Sequence, residues 1–129
     1  MADLLEDIVE YLKVNGLVQG DGIDAFRDVA PDLPDNAVII YEYSGGATVL
    51  HEEAVHRSLQ IVARSKSATQ AKLKARAIFN VLSPLDQFKK LNVQRWCQLY
   101  PRQTPFRIKL DGNNRIYYGF NIGVTTYKD

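Results

Sequence analysis

His51 and His56 are the chain's two histidines, and they bracket a pair of carboxylates in the run His51-Glu52-Glu53-Ala54-Val55-His56. A zinc-protease helix needs its histidines four apart, so that both imidazoles share one face. Here the spacing is five, which would swing the second ring about 140° around a helix. No third histidine is available to complete a zinc site, although a carboxylate could serve. Cys97 is the single cysteine and has no obvious base beside it, so an activated thiolate is not expected. Ser44-Gly45-Gly46 lacks the lysine and helix of a phosphate loop, and Asp111-Gly112-Asn113-Asn114 is too short for a calcium loop. Carboxylates are plentiful in the N-terminal half, but no spacing isolates an acid–base pair. The expectation is no catalytic residue, no metal ligand and no cofactor, and hence no enzyme.

A candidate basic surface is formed by Lys66, Lys72, Lys74 and Arg76, with Lys89, Lys90, Arg95, Arg102 and Arg107 following. On a helical wheel Lys72 and Arg76 share a flank while Lys74 falls across the apolar stripe, so they do not form one phosphate-binding row. Trp96, Tyr100 and Arg95 hint at aromatics interleaved with charge, which a nucleic-acid reader requires. A small nucleic-acid-binding module using the basic C-terminal half is therefore the alternative reading.

These residues sit in a chain of 129 residues, the length of one domain, 1–129, with a sizeable core. No apolar run reaches the ~20 residues of a membrane helix, and the acidic start does not resemble a signal peptide, so no membrane partner is expected. One cysteine rules out an internal disulfide and suits a reducing cytoplasm, with Cys97 in the core. The net charge of +1 hides a polarity. Met1 to His56 holds twelve acidic against two basic residues, and Arg57 to Asp129 fourteen basic against three acidic. Either the two sets interleave on folding, or the subunit carries one acidic and one basic surface suited to head-to-tail packing.

Asp3 and Glu6 form a capping box before the stripe Leu4, Leu5, Ile8, Val9 and Leu12, and Asn15-Gly16 ends that helix. A short strand is expected within Ile23–Val29, then an irregular run rich in proline and aspartate to Asn36. Ala37 to Tyr43 has bulky residues on both faces, a pattern of strands covered on both sides. Ser44-Gly45-Gly46 should end it, leaving Ser44 to Arg57 as a flexible loop. Ser58 to Arg64 returns as a strand. Ser67 caps a second helix with the stripe Ala68, Ala71, Ala75, Ile78 and Leu82, stopped by Ser83-Pro84. Strands follow at Asn92 to Tyr100, at Phe106 to Leu110 and, past the Asp111-Gly112-Asn113-Asn114 turn, through Ile116, Tyr118, Phe120, Ile122 and Val124. The order α-β-β-β-α-β-β-β predicts an α+β fold, a mainly antiparallel sheet of about five or six strands with two helices packed on it.

In this order the motifs resemble one known family. The helix leads through Pro34-Asp35-Asn36 into the Tyr41-Glu42-Tyr43 strand and its glycine pair. LQIVARSKSATQAKLKARAIFNVL, Thr104-Pro105-Phe106, the Asp111-Gly112-Asn113 hairpin and RIYYGFNIGVTT then follow. The set is similar to the bacteriophage minor capsid proteins that act as tail completion, or tail terminator, proteins. The resemblance implies a structural virion protein that caps the tail tube, ends its polymerisation and forms the head-tail joining surface. It also implies a homo-oligomeric ring, expected as a hexamer, whose partners are the major tail tube protein and head connector proteins. DNA would pass through without specific binding. The location would be the virion, at the head-tail interface, with assembly in the host cytoplasm. On this reading Gly45, Gly46, Leu50, His51, Glu52, Glu53 and His56 form a candidate assembly loop.

Overall fold

Helix α1 (Leu4–Val14) begins where the Asp3 carboxylate accepts the Glu6 N–H at 2.9 Å. Its stripe of Leu4, Leu5, Ile8, Val9 and Leu12 is buried. It ends in a Schellman motif: Gly16, at φ +77°, donates to Lys13, and Leu17 donates to Leu12. The computed structural model describes residues 3–51, 54–86, 89–91 and 95–127.

Among the described residues seven strands form one sheet: β1 (Ala25–Arg27), β2 (Ala37–His51), β3 (Ala54–Ser65), β4 (Lys89–Lys90), β5 (Trp96–Pro101), β6 (Phe106–Leu110) and β7 (Ile116–Tyr127). The path is β1-β2-β3-β7-β5-β4, with β6 also on β7; the β1–β2 pair is parallel and the other described pairs are antiparallel. The element order is the expected one with a single two-residue strand, β4, added. β5 and β6 lie end to end along one edge of β7, the first facing residues 122–126 and the second residues 116–119. The start of β5 expected at Asn92 lies outside the described residues.

Helix α2 (Ala68–Leu82) is capped by Ser67, whose hydroxyl accepts the Gln70 N–H, and buries Ala71, Ala75, Ile78 and Leu82. Ala68, expected on that stripe, is the first residue of the helix and is exposed. Ser83-Pro84 ends the α-helix at Leu82, as expected. A 3-10 turn carries on over Ser83–Asp86 and buries Leu85. Both helices pack on one sheet face with Val38, Ile40, Leu59, Ile61, Phe120, Ile122 and Val124 in a single core. Phe79 meets Phe120 edge-on at 5.3 Å. Cys97 is fully buried in that core, and desolvation pushes its thiol up to about 12.

The opposite face carries no helix among the described residues. The Pro- and Asp-rich segment 28–36 covers its lower part, where Arg64 donates to the carbonyls of Pro34 and Asp35 and Ile39 is fully buried. Higher up, Tyr43 is 39% exposed. Coverage on both sides, expected for all of Ala37–Tyr43, therefore holds only for its first half.

The Ser44–Arg57 segment is the main correction. Its described residues, 44–51 and 54–57, are strand and not loop. Tyr43 pairs with Ser58, the register shifts across the glycine pair, and pairing resumes from Thr48↔His56 to His51↔Ala54. Gly45-Gly46 falls within the register irregularity between Tyr43 and Thr48 and is absorbed there as a bulge.

Candidate assembly site

The β2–β3 arm and the open sheet face beside it hold most of the residues singled out above. In the arm, β3 pairs onward with β7 from Ala54↔Tyr127 through Arg57↔Val124. Among the described residues, β2 beyond Glu42 pairs with β3 alone. Gly45, Gly46, Leu50 and His51 lie along β2, while Glu52 and Glu53 lie outside the described residues. Glu42 and Arg57 close the arm's base through a two-pronged ion pair at 2.6 Å.

His56 points to the open face. Its Nδ1 is 3.3 Å from the Thr125 hydroxyl and its Nε2 is 3.5 Å from the Arg102 guanidinium, which also donates to Ser58 at 3.3 Å. The ring lies on Gly123, where a Cβ would come within 2.9 Å of it, and the Tyr100 ring is 6.1 Å away. Tyr43, Ser58, Gly123 and Tyr100 are successive partners across β2, β3, β7 and β5. Two half-exposed tyrosines thus flank a floor of small residues covered by an imidazole and a guanidinium. Sequence reasoning placed His56 in the candidate loop, and Arg102 and Tyr100 only among the basic and aromatic residues of the C-terminal half, without joining them to each other or to Tyr43. The β-alternation of Tyr43, Ser58, Tyr100 and Gly123 was the available signal, and only strand pairing could align it. The two histidines sit on a hairpin rather than a helix, and no His/Cys/Asp/Glu group among the described residues could hold a metal ion.

The expected basic surface is dispersed. Lys74 donates to the Leu17 carbonyl at 2.7 Å and fastens α2 to the end of α1. Lys66 faces Asp35 at 3.7 Å, and Lys72 and Arg76 are exposed on α2. Arg95, expected beside Trp96 and Tyr100, points the other way. It is 2% exposed and bonds Asp7 at 2.6 Å and Thr126 at 3.1 Å. Strand alternation separates it from both aromatics, so that aromatic–basic cluster does not form.

A third network ties segment 28–36 to the β6–β7 turn. Arg115, buried, contacts Asp111, the Asp32 carbonyl and the carboxylates of Asp32 and Asp35. Desolvation raises the Asp111 pKa, but the N–H groups of Arg115 and Asn113, the Arg115 guanidinium and the Tyr117 hydroxyl outweigh it and bring it down to about 2. No described helix is long and apolar enough to cross a membrane.

A family model described as bacteriophage tail terminator protein matches residues 11–128. Among solved structures, the chain resembles one in the virion of a native gene transfer agent particle. The TM-score is 0.67 at 14% identity, covering 97% of this chain and 95% of that one. At that identity the likeness is one of fold. No curated protein matches the sequence.

Proposed function

The chain belongs to the bacteriophage tail terminator family, a family of structural phage proteins, and on that premise we propose that it caps the assembled tail tube. Capping ends the tube's polymerisation and offers the head connector a surface to join. The working form is a homo-oligomeric ring, a hexamer if it follows a six-fold tube, resting on the major tail tube protein. The chain acts without catalysis, is assembled in the host cytoplasm and ends at the head-tail interface of the virion. DNA passes through without specific contacts.

The observation that carries this reading is the arm. A fifteen-residue β2 runs past its last β1 partner, Ile40, and beyond Glu42 pairs with β3 alone among the described residues, which leaves one edge of the strand open. Such an edge readily accepts a strand from a neighbouring subunit or from the tube below it. The test is a tail preparation made without this chain. Tails are expected to overgrow and remain unjoined to heads, and purified chain should restore uniform length. Tails of normal length in its absence would overturn the proposal.

A further inference from the structure

We propose that the open sheet face between Tyr43 and Tyr100 receives the outward ridge of helix α1 from a second copy of this chain, with Glu10 meeting Arg102. The inference rests on the ring reading above and names one interface within it.

Charge comes first. Arg27, Arg57, Arg95 and Arg115 each have a carboxylate within the same chain. Arg102 is held in place by Ser58 and His56, yet it meets no carboxylate among the described residues. Its surroundings on the open face are Gln60, Asn121, Thr125 and the two tyrosines, so nothing acidic among the described residues of its own sheet answers it. A guanidinium fixed between two aromatics has the composition of an interface centre, where Tyr and Arg are enriched.

Shape selects a helix. Tyr43 and Tyr100 stand three strand spacings apart, about 14 Å between backbones. A helix with its side chains is about 10–12 Å across. Gly123 keeps the floor low, since any Cβ there would lift both His56 and Arg102.

Charge then selects between the chain's two helices. The outward side of α2 carries Lys72 and Arg76, which would repel Arg102. The outward ridge of α1 is Glu6, Glu10 and Val14, spaced by four and so in one line. Glu6 is held by Arg27, whereas Glu10 is exposed and meets no cation among the described residues. Val14, 76% exposed, supplies an apolar knob one turn beyond. Helix ridge and sheet face lie on different surfaces of one subunit, so the contact is heterologous and repeats around a ring.

The test is charge exchange, read as the fraction of tails of uniform length when purified chain is added to a terminator-free preparation. Arg102→Glu and Glu10→Arg alone should each lower that fraction by roughly ten-fold, and the double variant should recover most of it. Both residues are exposed, so circular dichroism should match the parent chain. If reversal at Arg102 unfolds it, Arg102→Gln replaces it, with Glu10→Gln beside it, and the two losses should then be less than multiplicative. Normal capping by either reversal overturns the inference and leaves the proposed function standing. Loss without recovery in folded double variant assigns the face to another protein and overturns the second-copy assignment. Unchanged capping with lost retention on DNA assigns it to nucleic acid and also overturns it. Failure of the parent chain to cap tails overturns the function itself.

Discussion

At Asp7 and Arg95 a carboxylate and a guanidinium meet at 2.6 Å, joining the first helix to the start of β5 with almost no exposure on either side. Thr126 extends the contact by accepting from Arg95 and donating to the Trp96 carbonyl. Asp7→Ala removes the carboxylate from a buried ion pair, so it should destabilise the chain by about 3 kcal/mol, measured as a shift in the urea midpoint. Asp7→Asn keeps part of the hydrogen bonding and should cost visibly less. Two glycines give a paired prediction. A Cβ at Gly119 would overlap the Ile61 carbonyl oxygen, which is backbone and cannot turn aside. Gly119→Ala must therefore part β3 from β7, at about 2–3 kcal/mol. At Gly123 the obstructing atoms are the ends of His56 and Arg102, which can rotate away. Gly123→Ala should cost under about 1 kcal/mol, and equal urea midpoints for the two variants would refute this reading.

Among the elements, the β2–β3 arm is the one whose removal separates folding from assembly. Its pairing beyond the bulge, from Thr48↔His56 to His51↔Ala54, is backed by β7 through Ala54↔Tyr127 to His56↔Thr125. Deleting residues 48–55 should leave a chain that unfolds cooperatively in urea with its near-native spectrum, yet no longer caps tails. Normal capping by the deletion would show the arm to be dispensable. Periodicity and capping chemistry make α1, α2 and most strands legible in the sequence, because each is specified by residues three or four apart or by alternation. The arm is not legible in this way, since Ser44-Gly45-Gly46 has the composition of a terminator and only cross-strand pairing can absorb it as a bulge. For the same reason the site is half legible. His56 stands out by its chemistry, but Arg102 and the Tyr43–Tyr100 pair become neighbours only through the register of four strands.

Over the whole molecule, the acidic first half and basic second half do not separate into two poles. Asp7 bonds Arg95, Glu42 bonds Arg57, Asp32 and Asp35 face Arg115, and Asp35 faces Lys66, so each pairing joins one half of the chain to the other. Folding thus consumes much of the polarity visible along the sequence, favouring the interleaved arrangement. Exposed cations among the described residues lie on different surfaces. Lys72 and Arg76 ride on α2, over the covered face, while Arg102 and Lys109 lie on the open one, where Lys109 stacks on Tyr117 at 4.6 Å. A duplex or single strand can touch only one of these groups at a time. Binding to DNA should therefore be weak, with log affinity falling against log salt at a slope no steeper than about −2 to −3. Retention on immobilised DNA across a salt series measures that slope. A value near −6 or beyond would require a continuous row of phosphate contacts. It would favour the nucleic-acid module over a ring through which DNA slides, whereas a shallow slope is what a passage for the genome needs.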